Sequence, residues 1–256
     1  MLLAIDIGNT NISFGVFDTT DLIHHFRAES SRTRTIDEYC VFVEQMLALL
    51  NVERRALNAA IIASVVPTLT EPMSSLARRM FACEPVVVGP GTRTGMPILY
   101  DNPRDVGADR IVNAVAAYDI VRAGVVVVDF GTATTFDCVS PKGEYLGGAI
   151  VPGIQISAEA LFARAAKLPR VDLTAPAKVI GRNTPHAMQS GITYGYASLV
   201  EGMIERIRNE VGFPCAILAT GGLAPLIAKL TSCIEHVDDS LALRGMRIVY
   251  ERNRPT

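Results

Sequence analysis

Asp6 and Asp129 each close an apolar run and open a turn of glycine, hydroxyl and amide residues, groups suited to gripping a metal-bound polyphosphate. Leu2-Leu3-Ala4-Ile5 leads into Asp6-Ile7-Gly8-Asn9-Thr10-Asn11, and Val125–Val128 leads into Asp129-Phe130-Gly131-Thr132-Ala133-Thr134. In such a turn, backbone N–H groups can cradle phosphate oxygens while the carboxylate holds a cation. Aligned on their aspartates, Gly8, Asn9 and Asn11 fall on Gly131, Thr132 and Thr134. The two aspartates lie 123 residues apart in a chain of 256, a spacing that predicts an internal duplication with a site between the halves. A third constellation, Gly107-Ala108-Asp109-Arg110 with Arg104 nearby, places a glycine, acids and arginines at a predicted helix start. It reads either as a site or as a capped helix start with neighbouring ion pairs.

Composition narrows the classes. The chain is 49% apolar and 20% charged with a net charge of −2, ordinary values for a globule large enough for two modest domains. Lys and Arg are scattered rather than blocked, which argues against a nucleic-acid surface or a polybasic membrane patch. The five cysteines, Cys40, Cys83, Cys138, Cys215 and Cys233, have the spacing of neither a disulfide framework nor a metal site. Reduced thiols and a cytoplasmic location are expected. No signal peptide or membrane-spanning run is apparent.

The elements that must position these residues alternate. Residues 2–18 read as a hairpin, Leu22–Ala28 as a third strand, and Thr35-Ile36-Asp37-Glu38 as the capped start of a helix to Leu50. Ala59–Val66 is a buried strand, Thr68 a candidate cap for a helix to Phe81, and Pro85–Val88 a short strand. Pro103–Ala123 reads as one helix. The pattern then repeats: strands at Val125–Phe130, Thr132–Val139 and Glu144–Val151, a helix from Pro152-Gly153 to about Ala166, and an irregular stretch at Lys167–Gly181. Asn183-Thr184-Pro185 starts a helix to about Val211. Gly191, Gly195, Ser198 and Gly202 make a stripe of small residues along it. Cys215–Thr220 is a strand, Gly221-Gly222 a turn, Ala224–Leu230 a helix, and Ser240–Tyr250 a last helix packing back on the core.

This order, β-β-β-α-β-α twice, resembles the duplicated ribonuclease-H-like α/β fold of the acetate and sugar kinase, chaperone ATPase and actin superfamily. The resemblance implies two halves, 1–115 and 116–256, with a cleft between them where ATP lies and with adenosine near Ala219-Thr220-Gly221-Gly222. Asp6-Ile7-Gly8-Asn9-Thr10, Gly107-Ala108-Asp109-Arg110, Asp129-Phe130-Gly131-Thr132-Ala133-Thr134 and Gly147-Gly148-Ala149-Ile150-Val151-Pro152-Gly153, in that order, resemble type III pantothenate kinase along essentially the whole chain.

The implied reaction moves the γ-phosphoryl of ATP to the primary hydroxyl of pantothenate, the first step of coenzyme A synthesis. Such a transfer needs a proton acceptor, neutralised phosphate charge and in-line positioning. On the resemblance, Asp109 is the base. Asp6 holds Mg²⁺, and the run Asp6, Ile7, Gly8, Asn9, Thr10, Asn11, Ile12 and Ser13 binds ATP together with Thr132. Asp129 is the ligand of a monovalent cation, K⁺ or NH₄⁺. Tyr100, Gly107, Ala108, Asp109 and Arg110 form the pantothenate shell, completed by Thr184 from the other subunit of a homodimer. Two further readings stay open: a non-catalytic factor in transcription, and a kinase or phosphatase of the same superfamily acting on a sugar or acetate.

Overall fold

Unbroken apolar runs make strands that are buried on both faces, and two such runs lie at the centres of two sheets. The computed structural model describes residues 1–254, which divide into two compact units, Met1–Ala116 with the segment from Ser240, and Ala117–Asp239. In the first unit, β1 (Leu2–Ile7), β2 (Asn11–Asp18) and β3 (Asp21–Glu29) form an antiparallel meander. β4 (Ala59–Ser64) and β5 (Val86–Val87) add in parallel on the other side of β1, giving the order β3-β2-β1-β4-β5. Leu3, Ile5 and Ile7 of β1 share one face with Phe14 and Val16 of β2. That face packs against Tyr39, Val43 and Leu47 of α1 (Ile36–Leu49) and Leu69, Met73 and Leu76 of α2 (Pro67–Phe81). Burying each large apolar side chain there contributes roughly 1.5–3 kcal/mol.

The second unit repeats this connectivity. β6 (Val125–Phe130), β7 (Ala133–Val139) and β8 (Tyr145–Pro152) form the meander, and β9 (Ala216–Thr220) and β10 (His236–Val237) extend it in parallel. The order is β8-β7-β6-β9-β10, so each strand of one sheet has a counterpart in the other. α4 (Ile154–Arg164), α5 (Thr184–Val211) and α6 (Ala224–Ala228) belong to this unit. Their Ile154, Ala158, Ile192, Val200, Ile204 and Ile227 cover Val126, Val128, Phe136 and Cys138. The duplicated ribonuclease-H-like arrangement is therefore present in full. Among the described residues, no helix is long and apolar enough to cross a membrane.

Four expectations change. The last helix, α7 (Leu241–Asn253), belongs with the first unit rather than with a half spanning 116–256. The cause is a fitted contact: Gly15 lacks the side chain that would meet Leu243, a β-carbon there lying 3.0 Å from Leu243 Cδ1. Gly245 of α7 lies so close to residue 112 that a β-carbon would sit 1.9 Å from the Val112 carbonyl oxygen. Second, Pro103–Ala123 is not one helix. A short 3₁₀ turn, Pro103–Asp105, is capped by Asn102, and α3 (Ala108–Val121) begins only after Val106 and Gly107. Third, α2 starts at Pro67, whose fixed φ suits a first helical position, and not behind a Thr68 cap. Fourth, the two hairpin turns differ by one residue. Asp6 faces Ser13 across its hairpin, whereas Asp129 faces Thr135. Thr134 thus corresponds to core-facing Ile12 rather than to Asn11, and both are fully buried.

Candidate active site

In the first unit, Asp6 stands half-buried at the end of β1, opposite Ser13. The turn that follows is closed by the Gly8 N–H donating to the Asn11 carbonyl at 3.0 Å. Asn9, Thr10 and Asn11 project as an exposed tip, while Ile7 and Ile12 are fully buried. Those two isoleucines therefore offer a ligand only their main chain. Val65, just past β4, borders both this turn and Gly107. Its N–H donates to the Ile7 carbonyl at 3.0 Å, and its Cγ1 lies 3.6 Å from where a β-carbon on Gly107 would be. The same β-carbon would sit 2.4 Å from Asp109 Oδ1, so only glycine at 107 leaves room for the carboxylate in this position.

Asp109 occupies the first turn of α3 and accepts the Arg110 N–H at 2.8 Å. Desolvation by burial pushes its pKa up and outweighs the lowering by the Arg110 and Asp109 amides and by the Arg110 charge. A carboxylate short of water is a stronger proton acceptor than an exposed one, as a general base requires. Ala108 and Arg110 are buried beside it, and Tyr100 is exposed on the preceding loop.

In the second unit, Asp129 is half-buried at the end of β6, and Thr132 is exposed at the tip of its turn. The strand-to-helix turn at Gly221 comes close: a β-carbon there would meet the Phe130 carbonyl oxygen at 2.6 Å and Asp129 Oδ1 at 2.7 Å. The expected adenosine turn and the cation-type carboxylate are thus neighbours. Carboxylate and carbonyl oxygens converging on a cradle that a side chain would fill suit a hard cation. Among the described residues no group of three His, Cys, Asp or Glu could hold a metal. A divalent ion at either aspartate turn would take one carboxylate and depend on water and substrate phosphates for the rest, which is the usual manner of Mg²⁺.

The sequence reading passed over Asp137. Its carboxylate is fully buried and accepts hydrogen bonds from the Tyr145 hydroxyl at 2.7 Å and the Thr135 hydroxyl at 2.9 Å. It lies two residues beyond the partner of Asp129, a position a strand pattern gives no reason to single out. Thr184 is exposed at the start of α5, where Asn183 Oδ1 accepts the His186 N–H at 2.9 Å. A recess of about 680 Å³, lined by Gln155, Glu159, Phe162, Arg170 and Gln189 among others, lies along α4 and α5, and its lining includes no residue of either aspartate turn.

The Type III pantothenate kinase profile matches residues 2–206. The type III pantothenate kinase of Myxococcus xanthus strain DK1622 is 55% identical over 253 residues, 99% of each chain. That of Moorella thermoacetica is 53% identical, covering 99% of this chain and 100% of the relative. Among solved structures, one described as a Baf family transcriptional activator from Campylobacter jejuni superposes with a TM-score of 0.62 at 20% identity, over 98% of both chains. An inorganic polyphosphate/ATP-glucomannokinase from Arthrobacter sp. strain KM gives 0.52 at 13% identity over 99% of both. At such identities the structural likeness speaks for the fold alone. The end-to-end sequence identity says more: this chain belongs to the type III pantothenate kinase family.

Proposed function

We infer that this chain performs its family's reaction, ATP-dependent phosphorylation of pantothenate at the head of coenzyme A synthesis, with Asp109 as the general base. The observation that carries the base assignment is a carboxylate desolvated at a helix start, beside Gly107, whose neighbour Val65 also bonds to Ile7 at the end of β1. Asp109 takes the proton of the attacking hydroxyl. The turn from Gly8 to Ser13 and the Thr132 hydroxyl bind ATP, and Tyr100, Gly107, Ala108 and Arg110 hold pantothenate. A kinase of this family uses ATP with a divalent metal, and Asp6 would hold it; when bound, the metal neutralises phosphate charge. The cytoplasm is the compartment we propose, in keeping with five free cysteines. An ATP-consumption assay with pantothenate beside a panel of sugars and carboxylic acids tests the reading. Turnover on a sugar or acetate in preference to pantothenate refutes it, and no turnover on any acceptor favours the regulatory alternative.

The oxygen-lined cradle at Asp129 supports a monovalent cation site. Activity is expected to require potassium or ammonium, and Asp129→Ala to abolish that response. Full activity of the wild-type protein in sodium-only buffer overturns the assignment.

A shared-site homodimer is supported by the open face of α5. Gly191 and Gly195 would meet nothing within 4 Å if given a β-carbon, and Ser198 and Thr184 are exposed. Among the described residues, no other helix comes within 4 Å of a β-carbon at Gly191 or Gly195. If Thr184 serves the partner's site, Asp109→Ala and Thr184→Ala homodimers are each impaired. A mixed dimer of the two then contains one doubly altered site and one intact one, and recovers about half of the wild-type activity. Co-expression with two tags and purification of the mixed species checks this. A mixed dimer no better than its parents, or a protein that sediments as a monomer, rules out sharing.

A further inference from the structure

In each unit, the residue just past the third strand reaches back to the glycine turn of the first hairpin. Ser30, after β3, donates its N–H to the Thr10 carbonyl at 2.9 Å and its hydroxyl to the Gly8 carbonyl at 2.5 Å. Gly153, after β8, donates its N–H to the Thr132 carbonyl at 3.1 Å. Thr10 and Thr132 correspond, since each lies three residues before the residue that faces the turn's aspartate, Ser13 in one hairpin and Thr135 in the other. Gly8 and Gly131 correspond as well, each two residues after its aspartate. The second unit has no room for a hydroxyl at this place. A β-carbon on Gly153 would lie 2.2 Å from the Thr132 oxygen and 2.6 Å from the Gly131 oxygen. One unit thus holds its turn with a serine side chain and the other by bare main-chain contact.

A planar trans peptide points its N–H opposite to its C=O, and this chain has no cis peptide among its described residues. Drawing the Gly8 and Thr10 carbonyls onto Ser30 therefore turns the N–H groups of Asn9 and Asn11 the other way. Drawing the Thr132 carbonyl onto Gly153 does the same for the Ala133 N–H. Carbonyl oxygens left facing a phosphate would repel it, whereas N–H groups attract it. We propose that Ser30 and Gly153 are a duplicated pair of positioning residues, each fixing one Asp-x-Gly turn with its carbonyls turned onto the protein and its amides toward the phosphates of ATP. The proposal rests on the reading that these turns bind the nucleotide.

The test is an equilibrium titration of the purified full chain with a non-hydrolysable ATP analogue and Mg²⁺, with no pantothenate present. Ser30→Ala is expected to weaken binding about fivefold to tenfold and to raise the KM for ATP in step, leaving the pantothenate KM at saturating ATP unchanged. Ser30→Thr, which keeps the hydroxyl, restores most of the affinity. Gly153→Ala is expected to weaken binding further, and if it fails to fold the Ser30 pair still decides. Wild-type analogue affinity in Ser30→Ala overturns the proposal, as does a lowered Tm with kcat and both KM values disturbed at unchanged affinity. Because no acceptor is present, a wild-type protein that binds the analogue yet does not phosphorylate pantothenate counts against the proposed reaction and leaves this proposal standing.

Discussion

Asp109→Asn is expected to lower turnover on pantothenate by roughly 10²–10⁴-fold, with ATP affinity nearly unchanged. The amide keeps the shape and can still accept the Arg110 N–H seen at 2.8 Å, but it no longer accepts a proton. Near-normal turnover in this variant refutes the base assignment. The raised pKa adds a second, independent expectation. The folded-state pKa lies above the unfolded one, so the native protein carries a poorly hydrated charge once pH exceeds it. The protonated form contributes stability that is fully present below the ordinary aspartate range and lost as pH rises through the raised value. Asp109→Asn is therefore expected to have a higher Tm than the wild type at pH 7, with the difference vanishing in acid. The acid limb of the wild-type kcat/KM profile should likewise lie above the ordinary aspartate range. An unchanged Tm at pH 7 says that burial does not penalise the carboxylate.

Gly221→Ala is expected to destabilise the second unit by roughly 2–4 kcal/mol and to lower nucleotide affinity more than about tenfold. Two causes add. Gly221 has φ +92°, where an L side chain is strained, and its β-carbon would overlap both the Phe130 carbonyl and Asp129 Oδ1. Relief requires the turn, the carboxylate or the strand end to move. Gly222→Ala is the control, since nothing lies within 4 Å of a β-carbon there, and its stability should stay within about 0.5 kcal/mol of wild type. Denaturant titration with nucleotide binding measures both. A Gly221→Ala protein as stable as Gly222→Ala contradicts the close approach.

The aspartate turns were legible because buried strands must be written as apolar runs, and a run that stops at Asp-x-Gly marks its own end. Helix starts were legible where a side chain does the capping: Thr35 and Glu38 form the reciprocal capping box that their spacing implies, and Asn183 caps α5. What failed was whatever depends on distant partners. The alignment of Asn11 with Thr134 failed because turn length is set by hydrogen-bond closure, from Gly8 to Asn11 in one hairpin and from Gly131 to Ala133 in the other. No periodicity records that. α7 was legible as a helix but not as a member of the first unit, since an amphipathic stripe does not name the sheet it covers. Ser30 carries no signal of its own, because a serine after a strand is ordinary until its hydroxyl is seen on Gly8.

The return of α7 to the first unit has a consequence for synthesis. Synthesis runs from the N-terminal side, so the sheet holding Asp6 is made before the second unit, yet Leu243, which fills the space above Gly15, is made only after it. Until then the whole second unit must emerge, and the β1–β2 face that Leu243 will cover stays wet. A nascent chain halted after Asp239 would carry a complete second unit beside an unfinished first one. The order of manufacture thus completes the second unit before the sheet that carries Asp6 receives α7.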